Sequence, residues 1–429
     1  MAYVPVAFIL AGMAAYTVLA GADFGAGLWT LLSFGPGGQR VRDQARHAMG
    51  PVWEANHVWL IFVLVVCWTA YPVAFGSIAS TLAAPLLIAA IGIIFRGAAY
   101  ALRGVADASR SAENLLGISS VLTPFALGTA VGALAVGRVP VGNAAGNPVT
   151  SWLNPSSVLV GALAVFFSAY LAAVYLAADS VRNAEPDLVA AFRRRALIAG
   201  VLSGALALAG LFVIRGAGLD LTHGAALALV CVSGVAGLAT LALCWRFQFG
   251  LARLTAAVAV AAVVIGWAAA QAPRFLPGMT VTQAAAGEAT LVAVVIAVGC
   301  GLVVLVPSLG LLYTLFLRGR LDTPEAHAAG TAPVAPSGVA GAVARPSPVL
   351  EAPLGAKSQG VPTTSGHTPG GAGLRGRAGR WGGAAVVGLV AGAGLLVFTD
   401  AAWTHVLGVA GLVLCAVAVF AVTAAPVDR

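Results

Sequence analysis

The sequence predicts an all-α polytopic membrane protein: a nine-helix core, then a flexible linker and a two-helix C-terminal transmembrane hairpin. Three observations point there. Of 429 residues, 60% are apolar and only 9% charged, whereas a water-soluble domain needs roughly 25% charged residues. Apolar runs of the length that crosses a bilayer recur from end to end. The basic residues sit in small groups between those runs, which is an orientation signal rather than a nucleic-acid surface, despite the formal charge of +8.

Nine runs, near 5–33, 55–75, 79–102, 116–137, 156–179, 195–214, 223–244, 250–271 and 289–317, are read as spanning helices. MAYVPVAFIL has no basic segment ahead of its apolar residues, so the first run is expected to be a retained helix and not a cleaved signal. Residues 1–321 form the core. Residues 322–380 are dominated by Ala, Gly, Pro, Ser and Thr without helical period, the composition of a linker that cannot bury a core. Residues 381–429 hold two further apolar runs, 382–398 and 402–424, expected to form the hairpin.

Arginine counting orients the chain. Thirteen arginines lie after helices one, three, five, seven and nine: Arg40, Arg42 and Arg46; Arg103 and Arg110; Arg182 and Arg193–Arg195; Arg246 and Arg253; Arg318 and Arg320. Only Arg138, Arg215 and Arg274 lie after the even-numbered helices. The bias predicts an outside N-terminus, a cytoplasmic linker and a cytoplasmic C-terminus. Arg375, Arg377 and Arg380 ahead of the hairpin, with Asp400 at its outer turn, fit that scheme.

Two acidic residues fall inside this framework where hydrocarbon penalises them. Asp23 lies about two-thirds along the first helix, in GADFGAG, and Glu54 opens the second, in GPVWEANHVWL. Each costs ~2.5–3.5 kcal/mol at bilayer depth, and such residues face a bundle interior or a wet path. Gly21, Gly25 and Gly27 permit close helix approach, so Asp23 suits either interhelical packing or a proton site. Glu54, His57 and Ile61 share one face by spacing. A carboxyl and an imidazole one turn apart are able to pass a proton, although for His57 alone a structural hydrogen bond outweighs metal ligation. Trp53 and Trp59 are interface anchors, packing residues or walls of a pocket. Arg96 either snorkels to the cytoplasmic interface or pairs with a buried carboxyl, Asp23 and Glu54 being the nearest candidates. Ser119, Ser120, Thr123 and Pro124 make a short polar patch on the fourth helix.

The chain contains no Walker A loop, no HExxH and no paired-cysteine site, and Cys67, Cys231, Cys244, Cys300 and Cys415 are read as small core residues. His57 is the one histidine deep enough to serve as a haem ligand, too poor a supply of axial ligands for several haems.

The combination of GADFGAG (21–27) and GPVWEANHVWL (50–60) resembles subunit II of the cytochrome bd-type quinol oxidases. FRGAAYALR (95–103), PRFLPGMTVTQAAAGEATL (273–291) and VLVPSLGLLYTLFLRGRL (304–321) extend the likeness to about residue 321. The resemblance implies two four-helix bundles plus one peripheral helix in a bacterial plasma membrane. It implies a heterodimer with a haem-binding subunit I that holds the b- and d-type haems, with quinol and O2 as substrates of the complex. No haem is expected on this chain; a structural quinone and a small accessory subunit are further candidates for association, with membrane lipid around the whole and no nucleic acid. Part of the path for cytoplasmic protons runs at the subunit interface in that family, and by matching positions Asp23, Glu54 and His57 are carried over to it, with Trp53, Asn56, Trp59, Arg96, Ser119 and Ser120 in support. Glu54 stands where the family usually has aspartate, and Ala20 stands where it often has a second helix-one aspartate, which counts against a route using two carboxyls there. The rival readings are a proton-coupled secondary transporter and a purely structural membrane subunit.

Overall fold

Proline placement decides where the chain departs from the simplest nine-run reading. In the computed structural model the described residues are 1–33, 37–49, 53–101, 109–216, 219 and 221–317; the linker and the C-terminal hairpin lie outside them. The described residues are mostly helical, beginning with α1 (Val4–Leu31), α2 (Gly38–Met49), α3 (Trp53–Ala70), α4 (Pro72–Thr81) and α5 (Ala83–Ala101). The run expected to be one helix over 55–75 is therefore two, because Pro72 brings no N–H donor and forces the preceding residue out of helical geometry. Tyr71 sits at φ −138°, ψ 60°. Its buried side chain fixes the break: the hydroxyl donates to the Ala2 carbonyl at 2.5 Å, and the ring lies 4.9 Å from that of Phe275.

The remaining elements are α6 (Ser109–Ala135), α7 (Pro155–Arg182), α8 (Pro186–Gly216), α9 (Gly224–Trp245), α10 (Phe249–Gln271), β1 (Arg274–Leu276), β2 (Met279–Thr280), α11 (Val281–Ala284) and α12 (Glu288–Leu317). Seven of the described helices are long and apolar enough to cross a membrane: α1, α5, α6, α7, α8, α9 and α10. The apolar stretches Asn56–Ala70 and Glu288–Val304 are shorter. Several helices run further at their arginine-bearing ends than hydropathy alone marks. In α8 the helix starts at Pro186, and Arg193, Arg194 and Arg195 belong to it.

Short local signals set the ends. Asn154 caps α7 by accepting the Ser157 N–H at 3.0 Å, with Pro155 at the first position, where a missing donor is harmless. The stretch 274–284, expected to be a loop, forms a small antiparallel β-hairpin followed by a capping box between Thr280 and Gln283.

Within Met1–Ile296, a compact unit, α1 packs against α3, α6, α7 and α10. α5 pairs with α6, while α7, α8, α9 and α10 pair in a closed ring. The unforeseen element is α2. Its buried Gly38, Val41, Gln44 and Ala45 recur at helical spacing, and it lies against α1 and α7. Arg40 pairs with Glu185 and Asp187, and Arg42 donates to the Ser33 carbonyl at 2.7 Å. These contacts, with those of Arg253 to Asp179 and Arg195 to Ser33, gather the arginine-bearing helix ends at one side.

The cysteine expectation needs correction. Cys244 is buried, but Cys231 and Cys300 are exposed. They point away from the core because a membrane helix gains nothing by turning every apolar side chain inward.

Candidate functional site

The GADFGAG segment of α1 has two working faces. Gly25 faces α7 so closely that a Cβ there would lie 1.8 Å from the Ser168 carbonyl oxygen. Gly27 faces α5 and α6, where a Cβ would come 2.0 Å from Ser120 Oγ and 3.3 Å from Arg96 Nη1. The glycines thus bring α1 close to its neighbours and leave room for the charged group between them. That group is Asp23, fully buried eight residues before Leu31, about 12 Å from the end of the helix.

Its partner is Arg96, of the two sequence alternatives the buried pair and not the snorkelling arginine. Arg96 Nε donates to Asp23 Oδ2 at 2.9 Å, and Nη2 donates to Oδ1 at 2.5 Å and to the Asp23 carbonyl at 2.8 Å. Nη1 donates to Ser120 Oγ at 2.6 Å, and that hydroxyl donates onward to the Leu116 carbonyl at 2.6 Å. Tyr100 adds its hydroxyl to Asp23 Oδ1 at 3.1 Å. Every donor direction that a bidentate guanidinium offers toward Asp23 and α6 is used, which is what lets a charge pair persist out of water. Both carboxylate oxygens already accept donors. Oδ1 takes two of them, from Arg96 and Tyr100, and Oδ2 one, from Arg96.

Beside the pair lies an aromatic wall. The Arg96 guanidinium stands 5.0 Å from the Phe24 ring centre and 5.5 Å from that of Tyr100. Phe24 then meets His57 edge-on, with ring centres 6.1 Å apart, and Tyr16 approaches His57 at 6.0 Å. His57 is thereby set one ring away from the buried pair. Asn56 holds α3 to α1 by donating to the Leu19 carbonyl at 3.3 Å. Trp59 packs on the Tyr16, Ala20 and Phe24 cluster, a packing role. Ile61 is 59% exposed, so of the two described positions on that face only His57 turns inward. Trp53 and Glu54 open α3, but their side chains lie outside the described residues.

Ser119 is buried but bonds only its own helix, at the Leu116 carbonyl; Ser120 alone of the two reaches Arg96. Thr123 is fully buried where α5 comes close to α6: a Cβ on Gly92 would lie 2.2 Å from its hydroxyl. Sequence reasoning missed Tyr100, Tyr16 and Phe24. Tyr100 carried a signal, since it follows Arg96 by one helical turn. The other two carried none, because an aromatic residue in an apolar run reads as packing.

Tyr16 and Phe24 close on the His57 imidazole edge-on. Among the described residues no three His, Cys, Asp or Glu side chains group to hold a metal ion.

The sequence profile described as cytochrome bd terminal oxidase subunit II matches residues 1–316. Similar proteins include two from Bacillus subtilis (strain 168). One, described as a cytochrome bd menaquinol oxidase subunit II, is 24% identical over 190 residues, which is 44% of this chain and 55% of that protein. The other, described as a cytochrome bd ubiquinol oxidase subunit 2, is 29% identical over 113 residues, 26% of this chain and 33% of that protein. The chain thus matches about half and a third of the length of these relatives. Its fold is similar to that of a chain in the bd oxidase from Geobacillus thermodenitrificans, with a TM-score of 0.57 at 23% identity, covering 74% of this chain and 98% of that one. With the profile spanning all nine core runs, the chain belongs to the cytochrome bd terminal oxidase subunit II family.

Proposed function

We propose that this chain is the haem-free subunit of a membrane quinol:O2 oxidoreductase, paired with a haem-binding subunit I, and that α1, α3, α5 and α6 line part of a cytoplasmic proton path. The arginine-bearing helix ends face the cytoplasm in this reading. Haems on the partner carry electrons and reduce oxygen; this chain's residues deliver and hold protons near the interface.

The observation that carries the reading is the Asp23–Arg96 pair, with side chains 0% and 1% exposed, set beside His57 through Phe24. Within this arrangement the pair serves as a fixed dipole. Arg96 and Tyr100 hold the Asp23 carboxylate in place, and the proposal puts the titrating steps on Glu54 and His57, one turn apart on α3. Ser120 and Tyr100 fix the pair's geometry.

The test replaces Glu54 with Gln in the assembled complex and follows quinol-driven oxygen consumption together with the haem spectra. The expected result is a loss of turnover of about a hundredfold, the lower end of a general acid–base contribution, with spectra intact. Unchanged turnover would remove Glu54 from the mechanism. The firmness of the Asp23–Arg96 pair favours one rival, a purely structural subunit. That rival predicts full turnover in both Glu54→Gln and His57→Phe whenever the complex assembles.

A further inference from the structure

The turn between α9 and α10 places a bulky side chain where backbone geometry favours none. α9 closes with two capping bonds, Phe247 N–H to the Cys244 carbonyl at 3.3 Å and Gln248 N–H to the Leu243 carbonyl at 2.9 Å. Phe247 consequently sits at φ 59°. α6 closes in the same way with Gly137, at φ 68°, and α7 with Ala184, at φ 55°. Glycine is the low-energy occupant of this position because a Cβ crowds the neighbouring carbonyl. A bulky residue is the exception at such a position, and its strain points to a use for the side chain.

The Phe247 ring centre lies 4.5 Å from the Arg193 guanidinium carbon, and the Trp245 ring centre lies 4.9 Å from it. Arg193 also donates to the Cys244 carbonyl at 3.0 Å and the Trp245 carbonyl at 3.2 Å. Its charge is therefore clamped at the end of α9. Arg194, the next residue of α8, and Arg246, between Trp245 and Phe247, are exposed. At the same side of the molecule Arg40 is paired with Glu185 and Asp187, and Arg182 and Arg253 with Asp179. Among the described residues no carboxylate is paired with Arg193, Arg194 or Arg246. Trp245 and Phe247 stand out at 67% and 58% exposure. The turn thus offers uncompensated positive charge and two aromatic rings at the level where helices leave the membrane.

We infer that Arg193, Arg194, Arg246, Trp245 and Phe247 form a binding site for the headgroup of an anionic phospholipid. The guanidinium groups take the phosphate, and the rings lie at the boundary of headgroup and acyl chain, where Trp and aromatic side chains are at home. A soluble phosphate would use the arginines and leave both rings exposed to water, so the lipid is the occupant that accounts for every residue. The inference does not depend on the proton path.

The experiment uses the intact detergent-purified complex, given phosphatidylglycerol or phosphatidylcholine, with bound lipid counted by native mass spectrometry. The wild type is expected to retain phosphatidylglycerol at least threefold over phosphatidylcholine. Arg194→Gln/Arg246→Gln is expected to lose that preference with its lipid-free thermal midpoint unchanged. Phe247→Gly keeps all three charges and relieves the backbone; it is expected to hold or raise the lipid-free midpoint while weakening phosphatidylglycerol retention. Equal retention of the two lipids by the wild type, or undiminished preference in both variants, overturns the site. Full displacement of the lipid by millimolar inorganic phosphate overturns the lipid as its occupant. Should the double variant fail to assemble, Phe247→Gly and Arg246→Gln alone decide the matter.

Discussion

Gly25 and Ser168 bring α1 and α7 backbone to backbone: a methyl group on Gly25 would sit 1.8 Å from the Ser168 carbonyl oxygen and 2.4 Å from its carbon. Backbone cannot yield as a side-chain tip can. Gly25→Ala is expected to cost at least about 1–3 kcal/mol, the range for overpacking, and to reduce assembled complex. Gly21→Ala crowds the tip of Leu171, at 3.3 Å, and meets Ser168 at ordinary contact distance, 3.7 and 3.9 Å; it is expected to fall within about 1 kcal/mol of wild type because helix propensity offsets the crowding. Thermal midpoints of the two variants compare them directly; equal losses would show that α1 does not rely on this contact.

The buried charge pair predicts non-additivity. Asp23→Leu or Arg96→Leu alone strands its partner's charge and is expected to cost about 3–5 kcal/mol. The double variant removes both charges and is expected to lose much less than the sum of the singles. Additive losses in midpoint or yield would mean that the two side chains are not coupled.

Adjacent serines separate a structural bond from an incidental one. Ser120→Ala leaves Arg96 Nη1 without its acceptor, an expected cost of about 1–3 kcal/mol. Ser119→Ala removes a bond to its own helix backbone and is expected to cost under about 1 kcal/mol. Reversal of that order in thermal unfolding would contradict the assignment.

The α2 helix is expected to be held by its apolar side and not by its ion pairs. Arg40→Gln loses contacts to Glu185 and Asp187 that are largely exposed, and solvent screening leaves such pairs little weight; no change in midpoint is expected. Ala45→Asp puts a carboxylate on the buried face and is expected to release α2, seen as new protease cleavage between residues 38 and 49. Equal susceptibility of the two variants would refute this.

Much of this was legible in the sequence because lipid allows few solutions. A run of apolar residues must be helical, so the core helices followed from composition and length. Asp23 and Glu54 stood out as the costly residues, and Arg96 was left between snorkelling and pairing with one of them. Other features were hidden for physical reasons. Residues 38–49 are too polar to register as a membrane segment, so α2 read as a loop until its buried positions showed a helical interval. The Tyr71–Pro72 break hid inside an apolar run whose hydropathy does not register a missing N–H. Tyr16 and Phe24 were invisible as site residues, since nothing in an aromatic side chain states which polar neighbour it will face.

Asp23 and Arg96 are 73 positions apart in the chain. At a synthesis rate of about 5–20 residues per second, the ribosome makes the acid several seconds before the base that neutralises it. During that interval Asp23 lacks the guanidinium that holds it in the finished fold. The first helix therefore reaches its final hydrogen bonding only once α5 has been made.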